Sequence, residues 1–320
     1  MGRLDGRVAI VTGAGGGIGR EYALLFAREG AQVVVNDVGA RPAASAGLVT
    51  EEIRADGGVA VADASSATWS GAASIVEHAL DAFGRLDIVV NNATVQYNED
   101  FWSYTEADWD RTHEVNLKGY FALMRAAVRP MATQGGGAVV NTSSASGFGH
   151  PSHVAYAAAK EGVVGLTRTA AKELGRFGIR CNAIRPLATS DAVGDYHDNT
   201  RRWRRLMDLT MGASTTNAST TDSSTTDTDP DKRHPRHVAP FVVWLCTSAA
   251  DGVTGRTFFV SGDTVMLYTE PKPQATIVRP GGWTLDALDD AAGTDLVPGF
   301  VNRFRLSDHP DLQVFPDAGS

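Results

Sequence analysis

From about residue 7 to residue 260, short apolar and β-branched runs alternate with longer segments whose apolar positions recur at helical spacing. That rhythm predicts an α/β domain in which parallel strands are joined by crossover helices. Strands are expected at 8–11, 32–35, 59–61, 86–90, 138–140, 179–184 and 257–260. Helices fall between them, among others at 20–29, 69–83, 106–132 and 156–176. Val33, Val34 and Val35 are consecutive, and a strand apolar at every position needs cover on both faces. The sheet should therefore be doubly wound, with helices above and below it.

Two segments break the rhythm. Residues 214–231 carry no large apolar side chain and cannot offset the entropy of ordering, so a disordered surface loop is expected there. The flanking stretch 201–207 is basic and reads as a solvated helix face. From 269 to 320, Pro271, Pro273, Pro280 and Gly281-Gly282 interrupt the periodicity. This tail reads as an extension of a single domain spanning residues 1–268. Its Trp283, Leu285, Leu288, Val297, Phe300, Val301 and Phe304 are available to dock against the sheet or a neighbouring subunit.

Composition narrows the functional classes. Of 320 residues, 43% are hydrophobic, enough for one large core. A net charge of −8 would repel nucleic acid and anionic membranes, so neither is an expected partner. No run is long enough to span a bilayer and the N-terminus leads straight into a strand, which makes a cytoplasmic location the expectation. Cys181 and Cys246 sit in apolar runs and read as buried free thiols. His150-Pro-Ser-His153 and His234-Pro-Arg-His237 are spaced like metal ligands, yet no Cys or carboxylate cluster accompanies them, and no metal site is expected. His153, just upstream of Tyr156, is placed to line a pocket.

Three motifs carry the chemistry. Thr12-Gly-Ala-Gly-Gly-Gly-Ile-Gly19 follows a strand and opens a helix. Gly13 permits the tight turn, while Gly17 and Gly19 let the backbone approach a pyrophosphate at the helix N-terminus. Asp37 ends the second strand, at a distance from Gly19 that suits an acid accepting hydrogen bonds from ribose hydroxyls. The same carboxylate would repel a 2′-phosphate. NAD is therefore the expected cofactor, and Arg20 and Arg41 are the residues that keep NADP open. In Tyr156-Ala-Ala-Ala-Lys160 a phenol and an ammonium share one helix face, where the positive charge favours the phenolate.

These motifs, with Asn91-Asn-Ala93, Asn116 and Asn141-Thr-Ser-Ser144, resemble the short-chain dehydrogenase/reductase family over most of residues 4–268. The resemblance implies a Rossmann-type doubly wound parallel sheet and a catalytic set of Asn116, Ser144, Tyr156 and Lys160. It also implies cofactor contacts from Gly13, Gly16, Gly17, Ile18, Gly19, Asp37, Asp63, Asn92, Ala93, Tyr156, Lys160, Pro186 and Thr189. Gly16 stands where members that use NADPH often carry Arg or Lys. By the same resemblance Asp63 would contact adenine, Asn116 would hold a relay water, Lys160 would bind the nicotinamide ribose, and Thr189 or Ser190 its carboxamide. A homodimer or homotetramer through segments 106–132 and 156–176 is implied as well.

The chain departs from the family in three places. The interval from Ser144 to Tyr156 is one residue short, so the catalytic hydroxyl is either Ser144 on a shortened loop or Ser143, with Ser144 favoured. Thr94 and Leu187 stand where Gly is usual. The segments around Asp37 and over 143–175 are similar to the hydroxyacyl-CoA dehydrogenase part of multifunctional β-oxidation enzymes and to 3-oxoacyl thioester reductases. The expected activity is NAD-dependent interconversion of a secondary alcohol and a ketone, with a 3-hydroxyacyl thioester as the leading substrate. An NADPH-dependent 3-oxoacyl thioester reductase and a non-catalytic NAD(H)-binding regulator are the alternatives.

Overall fold

The computed structural model describes residues 2–40, 45–189 and 233–298. The chain opens with β1 (Val8–Thr12), α1 (Gly17–Arg28), β2 (Gln32–Asn36), α2 (Ala46–Ala55), β3 (Val59–Asp63) and α3 (Ala72–Phe83). There follow β4 (Ile88–Asn91), α4 (Glu106–His113), α5 (Gly119–Thr133), β5 (Gly137–Thr142), α6 (Val154–Leu174) and β6 (Ile179–Pro186). Beyond residue 233 come α7 (Ala239–Leu245), β7 (Thr257–Ser261), β8 (Thr264–Leu267) and α8 (Leu285–Ala291). Arg41, Ser190, the stretches 201–207 and 214–231, and Phe300, Val301 and Phe304 lie outside the described residues.

The strands form one sheet in the order β3-β2-β1-β4-β5-β6-β7-β8, parallel except at its last pair. Each expected strand is present, and the doubly wound arrangement follows from β2. Val33 and Val35 enter one core with Tyr22, Phe26, Ile53 and Phe258. Val34 points the other way, into a second core with Ile10, Ile75, Leu123 and Met131. A slip of one residue would exchange the two sets, so the register is fixed from both faces. The strand order reverses between β1 and β4, which opens a crevice at their C-terminal ends, the usual ligand position in such sheets.

Three differences from the sequence expectation have local causes. β8 is an antiparallel addition to an otherwise parallel sheet, made by a hairpin whose two loop residues are Gly262 and Asp263. Gly262, at φ 52°, supplies the left-handed conformation that so tight a reversal needs. The expected helix 106–132 is instead two helices separated by a π-helical turn at Glu114–Lys118, and that turn carries Asn116. The described part of the tail, up to residue 298, packs little on the sheet, one of the two places expected for it. Trp283, Leu285 and Val297 are exposed, and in α8 only Ala287 is buried. An ion pair between Arg168 and Glu270 (2.6 Å) pins the start of the extension to α6.

Candidate active site

The crevice begins at the turn after β1. Gly13 has φ 63°, and a Cβ there would sit 2.8 Å from Ala93 Cα, so the turn closes tightly on the end of β4. Gly17, at φ 54°, starts α1 with open space where a side chain would project. Gly16, the residue before the helix, is extended and offers no side-chain cap, and no acidic residue lies in the first turn. The first N–H groups of α1, around Ile18, are thus left for an external anion.

Gly19 has a packing role besides the one its spacing suggests. A Cβ on it would fall 2.2 Å from the Gly13 carbonyl oxygen and 2.6 Å from Asn92 Nδ2, and the residue is buried. Its missing side chain lets α1 pack onto the turn. Gly19→Ala is expected to push α1 off the turn, costing about 1–3 kcal/mol of stability. A thermal midpoint equal to that of the unmodified chain would contradict this packing role.

Around the turn, polar side chains fasten the crevice. Thr12 Oγ1 accepts from the backbone N–H groups of Asn92 (3.0 Å) and Ala93 (3.1 Å), while Asn92 Nδ2 donates to the carbonyls of Thr12 (3.0 Å) and Gly13 (3.3 Å). Asp37, one residue past β2, accepts from Gly15 N (3.0 Å) and Gly39 N (2.8 Å), which aims its carboxylate over the glycine turn. Asp63 is buried and already accepts from Asn36 Nδ2 (2.7 Å), Ser65 N (3.0 Å) and, with the appropriate tautomer, His78 Nδ1 (2.9 Å). An adenine amino group would join these donors rather than meet a vacant carboxylate. Arg20 is engaged by both oxygens of Glu52 (2.6 and 2.7 Å) and by Glu21 (2.5 Å), which removes it as a ready partner for a 2′-phosphate. An uncapped helix N-terminus, a turn that tolerates no side chain at Gly13 and a carboxylate at the end of β2 together fit a dinucleotide.

At the far end of the crevice α6 carries Tyr156 and Lys160. Lys160 is fully buried; its Nζ donates to Tyr120 Oη (2.9 Å) and to the Thr142 carbonyl (2.8 Å) and lies 5.5 Å from the centre of the Tyr156 ring. Burial pushes its ammonium down to about 7. Burial also raises the Tyr156 phenol above its ordinary value, an effect opposed by hydrogen bonds with the side chains of Thr94 and Ser144. The buried Ser143 hydroxyl donates to the Lys160 carbonyl (2.7 Å) and holds β5 against α6, an engagement that favours Ser144 as the free hydroxyl of the pair. Ser144 Oγ also donates to Ser146 Oγ (3.1 Å). The shortened loop ends at Ser152, a non-glycine residue at φ 67°, held by Glu99 N (3.1 Å) and Tyr104 Oη (3.0 Å) on its carbonyl.

The remaining expected residues surround this pair. The Asn116 side chain is buried and fully engaged. Its Oδ1 accepts from Thr94 Oγ1 (2.5 Å) and Val95 N (3.3 Å), and its Nδ2 donates to the carbonyls of Val95 (2.7 Å) and Thr112 (2.9 Å). His153 precedes α6, hydrogen-bonds Ser146 Oγ (3.1 Å) and Gln96 Nε2 (3.2 Å), and meets the Tyr156 ring edge-on at 6.1 Å. Burial, with His150 stacked at 3.9 Å, pushes it down to about 3, so the ring is neutral. Pro186 ends β6, and Thr189, three residues on, is exposed with its N–H on the Arg233 carbonyl (2.8 Å). Among the described residues no group of side chains could hold a metal ion, and no helix is long and apolar enough to cross a membrane. Both cysteines are buried free thiols, pushed up to about 12 by burial.

Three contacts escape the sequence reading. Tyr120 supports Lys160 and lies one helical turn beyond Asn116, a spacing that could have revealed it. Thr94 supplies the hydroxyl between Tyr156 and Asn116, and its only sequence signal is the replacement of a usual Gly. Arg185 is buried within β6, pairs with Glu161 (2.7 Å), donates to the Ser144 carbonyl and lies against Phe148 (4.2 Å) and Tyr268 (5.6 Å). A charge inside an otherwise apolar strand is the feature that marks it.

A doubly wound sheet with a dinucleotide crevice and a phenol–ammonium pair at its end defines an oxidoreductase acting on CH–OH groups. The chain belongs to the short-chain dehydrogenase family, whose model matches residues 7–201. It is 39% identical over 256 residues to peroxisomal multifunctional enzyme type 2 of Mus musculus, covering 78% of this chain and 31% of that protein. With a hydroxyacyl-CoA dehydrogenase of Mycobacterium tuberculosis it shares 36% identity over 285 residues, covering 84% of this chain and 81% of that one. The crystal structure of a short chain dehydrogenase from Mycobacterium avium superposes with a TM-score of 0.74 at 36% identity, covering 92% of this chain and 96% of that chain. The chain spans about a third of the length of the type 2 multifunctional enzymes it matches.

Proposed function

We propose that this chain is an NAD-dependent dehydrogenase that interconverts a secondary alcohol and a ketone, with Tyr156 as acid and base and a 3-hydroxyacyl thioester as substrate. The observation that carries the reading is the buried Lys160 ammonium 5.5 Å from the centre of the Tyr156 ring at the end of the crevice. The nicotinamide, when bound, supplies the acceptor or donor of hydride. In oxidation the Tyr156 phenolate takes the substrate hydroxyl proton as the carbinol C–H bond breaks and its electron pair leaves with the hydride. Ser144 donates to the substrate oxygen, and the Lys160 ammonium favours the phenolate through space and binds the nicotinamide ribose. Asn116 serves the proton relay through its π-helical turn, because its side chain is fully bonded; such a turn disturbs the regular carbonyl pairing where a water could bind.

The cofactor reading rests on the same crevice. Gly13, Gly16, Gly17 and Ile18 receive the diphosphate, Asp37 the adenosine ribose and Asp63 the adenine. Asn92, Ala93, Pro186 and Thr189 line the path to the nicotinamide. NAD rather than NADP is supported by the Asp37 carboxylate and by the engagement of Arg20 with Glu52 and Glu21. Asp37→Ser is expected to raise the NADP-to-NAD ratio of kcat/KM by about tenfold or more, since removing one repulsion of ~1.4 kcal/mol suffices. An unchanged ratio would place the discrimination elsewhere.

A homodimer or homotetramer through α5 and α6 is part of the proposal, supported by exposed Phe121 on α5, which stacks with exposed Trp69 at 6.1 Å. Sedimentation at working concentration tests it, and a monomeric mass rejects it. Two reduced, buried thiols support a cytoplasmic location, whereas the multifunctional relatives are named peroxisomal; cell fractionation decides between them. The reaction itself is tested by NADH formation across secondary alcohols and 3-hydroxyacyl thioesters, with NADP in parallel. Activity that climbs with acyl chain length supports the thioester. Silence across the panel, despite NADH binding, would leave a nucleotide-binding protein without this turnover.

A further inference from the structure

We propose that His153 is a positioning residue for Ser144: held by Gln96 as the tautomer protonated on Nδ1, it donates to the Ser146 hydroxyl and leaves the Ser146 proton available to Ser144 when Ser144 turns to the substrate oxygen. The proposal rests on the reading of Ser144 as the hydroxyl that donates to that oxygen.

The tautomer follows from Gln96. Its Nε2 lies 2.8 Å from Asn98 Oδ1 and 3.2 Å from His153 Nε2. An amide nitrogen has two hydrogens to give and accepts nothing, so one goes to the Asn98 oxygen and the other to the imidazole. His153 Nε2 must therefore accept, and a ring that accepts there is neutral and carries its proton on Nδ1. Burial and the His150 ring stacked at 3.9 Å favour the neutral form as well. Nδ1 faces Ser146 Oγ at 3.1 Å, so its N–H donates to that hydroxyl.

This direction decides what Ser146 can do for Ser144. Ser146 Oγ receives from His153 and, in this structure, from Ser144 Oγ (3.1 Å), so the imidazole makes no claim on its proton. Ser144 Oγ accepts in turn from the Ser146 backbone N–H (3.1 Å), which holds its oxygen in place. When the Ser144 proton swings to a substrate oxygen, the Ser146 proton takes its place between the two hydroxyls. The donors then run one way, from Gln96 through His153, Ser146 and Ser144 to the substrate, and no hydrogen bond in the line is lost. The other tautomer gives the opposite result. A bare Nδ1 would take the Ser146 proton, and Ser144 would have to abandon Ser146 Oγ in order to reach the substrate. Hydroxyls that donate in one direction also polarise one another, which strengthens the last bond, at the oxygen where charge develops.

Three substitutions test the line. His153→Phe keeps a ring for the contacts with His150 and Tyr156 but has no nitrogen, His153→Asn returns an amide N–H near the place of Nδ1, and Gln96→Leu removes the outer donor at an exposed position. In His153→Phe, kcat for alcohol oxidation is expected to fall about tenfold with KM little changed, and His153→Asn should recover most of the loss. Because the effect passes through Ser144, His153→Phe should cost less than about twofold more in a Ser144→Ala background. A tenfold loss in both backgrounds, or an Asn variant as poor as Phe, would overturn the proposal. The tautomer is read without substrate, by nitrogen NMR of the chain isotopically labelled at histidine, the His153 signals being those that vanish in His153→Phe. A protonated Nδ1 with a bare Nε2 is expected in the unmodified chain, and a mixture of tautomers with a severalfold lower kcat in Gln96→Leu. A proton on Nε2 in the unmodified chain, or a Gln96→Leu protein that keeps the single tautomer and its rate, would reject the assignment. Should His153→Phe fold poorly, Gln96→Leu with and without Ser144→Ala gives the same comparison. If the unmodified chain turns over no alcohol, the reaction reading fails on its own, while the tautomer still decides which way the line donates.

Discussion

With Tyr156 replaced by phenylalanine, kcat for alcohol oxidation is expected to fall by about 10²–10⁴-fold, while NADH binding is nearly retained. The ring is kept, so packing against His153 and the cation contact with Lys160 survive. Only the oxygen that exchanges a proton with the substrate in the proposed reaction is lost. Ser144 cannot replace it, because a serine hydroxyl beside Lys160 is far weaker as an acid than a phenol. A variant retaining more than a tenth of the activity would show that another group moves the proton. Loss of NADH binding as well would mean that the substitution had damaged the crevice, and the comparison would then have to be made on the rate of bound cofactor.

Replacing Lys160 by methionine should alter both turnover and the dependence of stability on pH. Turnover should drop by about 10²-fold or more, since the phenolate loses the charge that favours it. In the folded chain burial lowers Lys160 to about 7, while the unfolded chain keeps the proton up to about 10.4. Between these values the unfolded state binds more protons, so stability rises with pH by up to about 1.4 kcal/mol per unit. Below pH 7 the native state carries the buried charge and the penalty is complete. Methionine removes that slope and adds a pH-independent cost, because Tyr120 Oη and the Thr142 carbonyl lose their donor. Denaturation midpoints should therefore rise for the unmodified chain relative to Lys160→Met between pH 7 and 9. Parallel curves would mean that Lys160 holds its charge in the native state throughout.

The sheet was legible in the sequence because its signal is local: Val33, Val34 and Val35 must all be covered, and the structure buries them in two cores. The glycine turn, Asp37, Ser144, Tyr156 and Lys160 were legible as spacings, and the structure gathers them along one crevice. β8 was missed because Thr264-Val-Met-Leu267 is too short to outweigh its neighbours, and its hairpin turn became visible only through Gly262. The packing role of Gly19 was not legible, because glycine beside a phosphate turn and glycine beneath a crossing backbone look the same in sequence; the 2.2 Å approach to Gly13 reveals it. Tyr120, Thr94 and Arg185 act through contacts across elements, which no one-dimensional pattern contains. The tail's apolar residues were read as docking on the sheet or on a neighbouring subunit; Trp283 and Leu285 are exposed in the single chain, so they do not serve the first of these.

The seam between β1 and β4 divides the molecule into two parts with different histories available to them. Three backbone pairs, Ala9 with Ile88, Ile10 with Val89 and Val11 with Val90, join the sheet there, and Thr12 ties its end to Asn92 and Ala93. On one side lie the glycine turn and Asp37. On the other lie Thr94, the shortened approach to Tyr156 and Leu187, the positions at which this chain departs from the family's usual pattern. Changes on that side leave the strand pairs and the nucleotide turn untouched. Substitutions at Thr94 and Leu187 can therefore reshape one end of the crevice while the turn that would hold the diphosphate keeps its form, which makes the seam a boundary of evolvability as well as of structure.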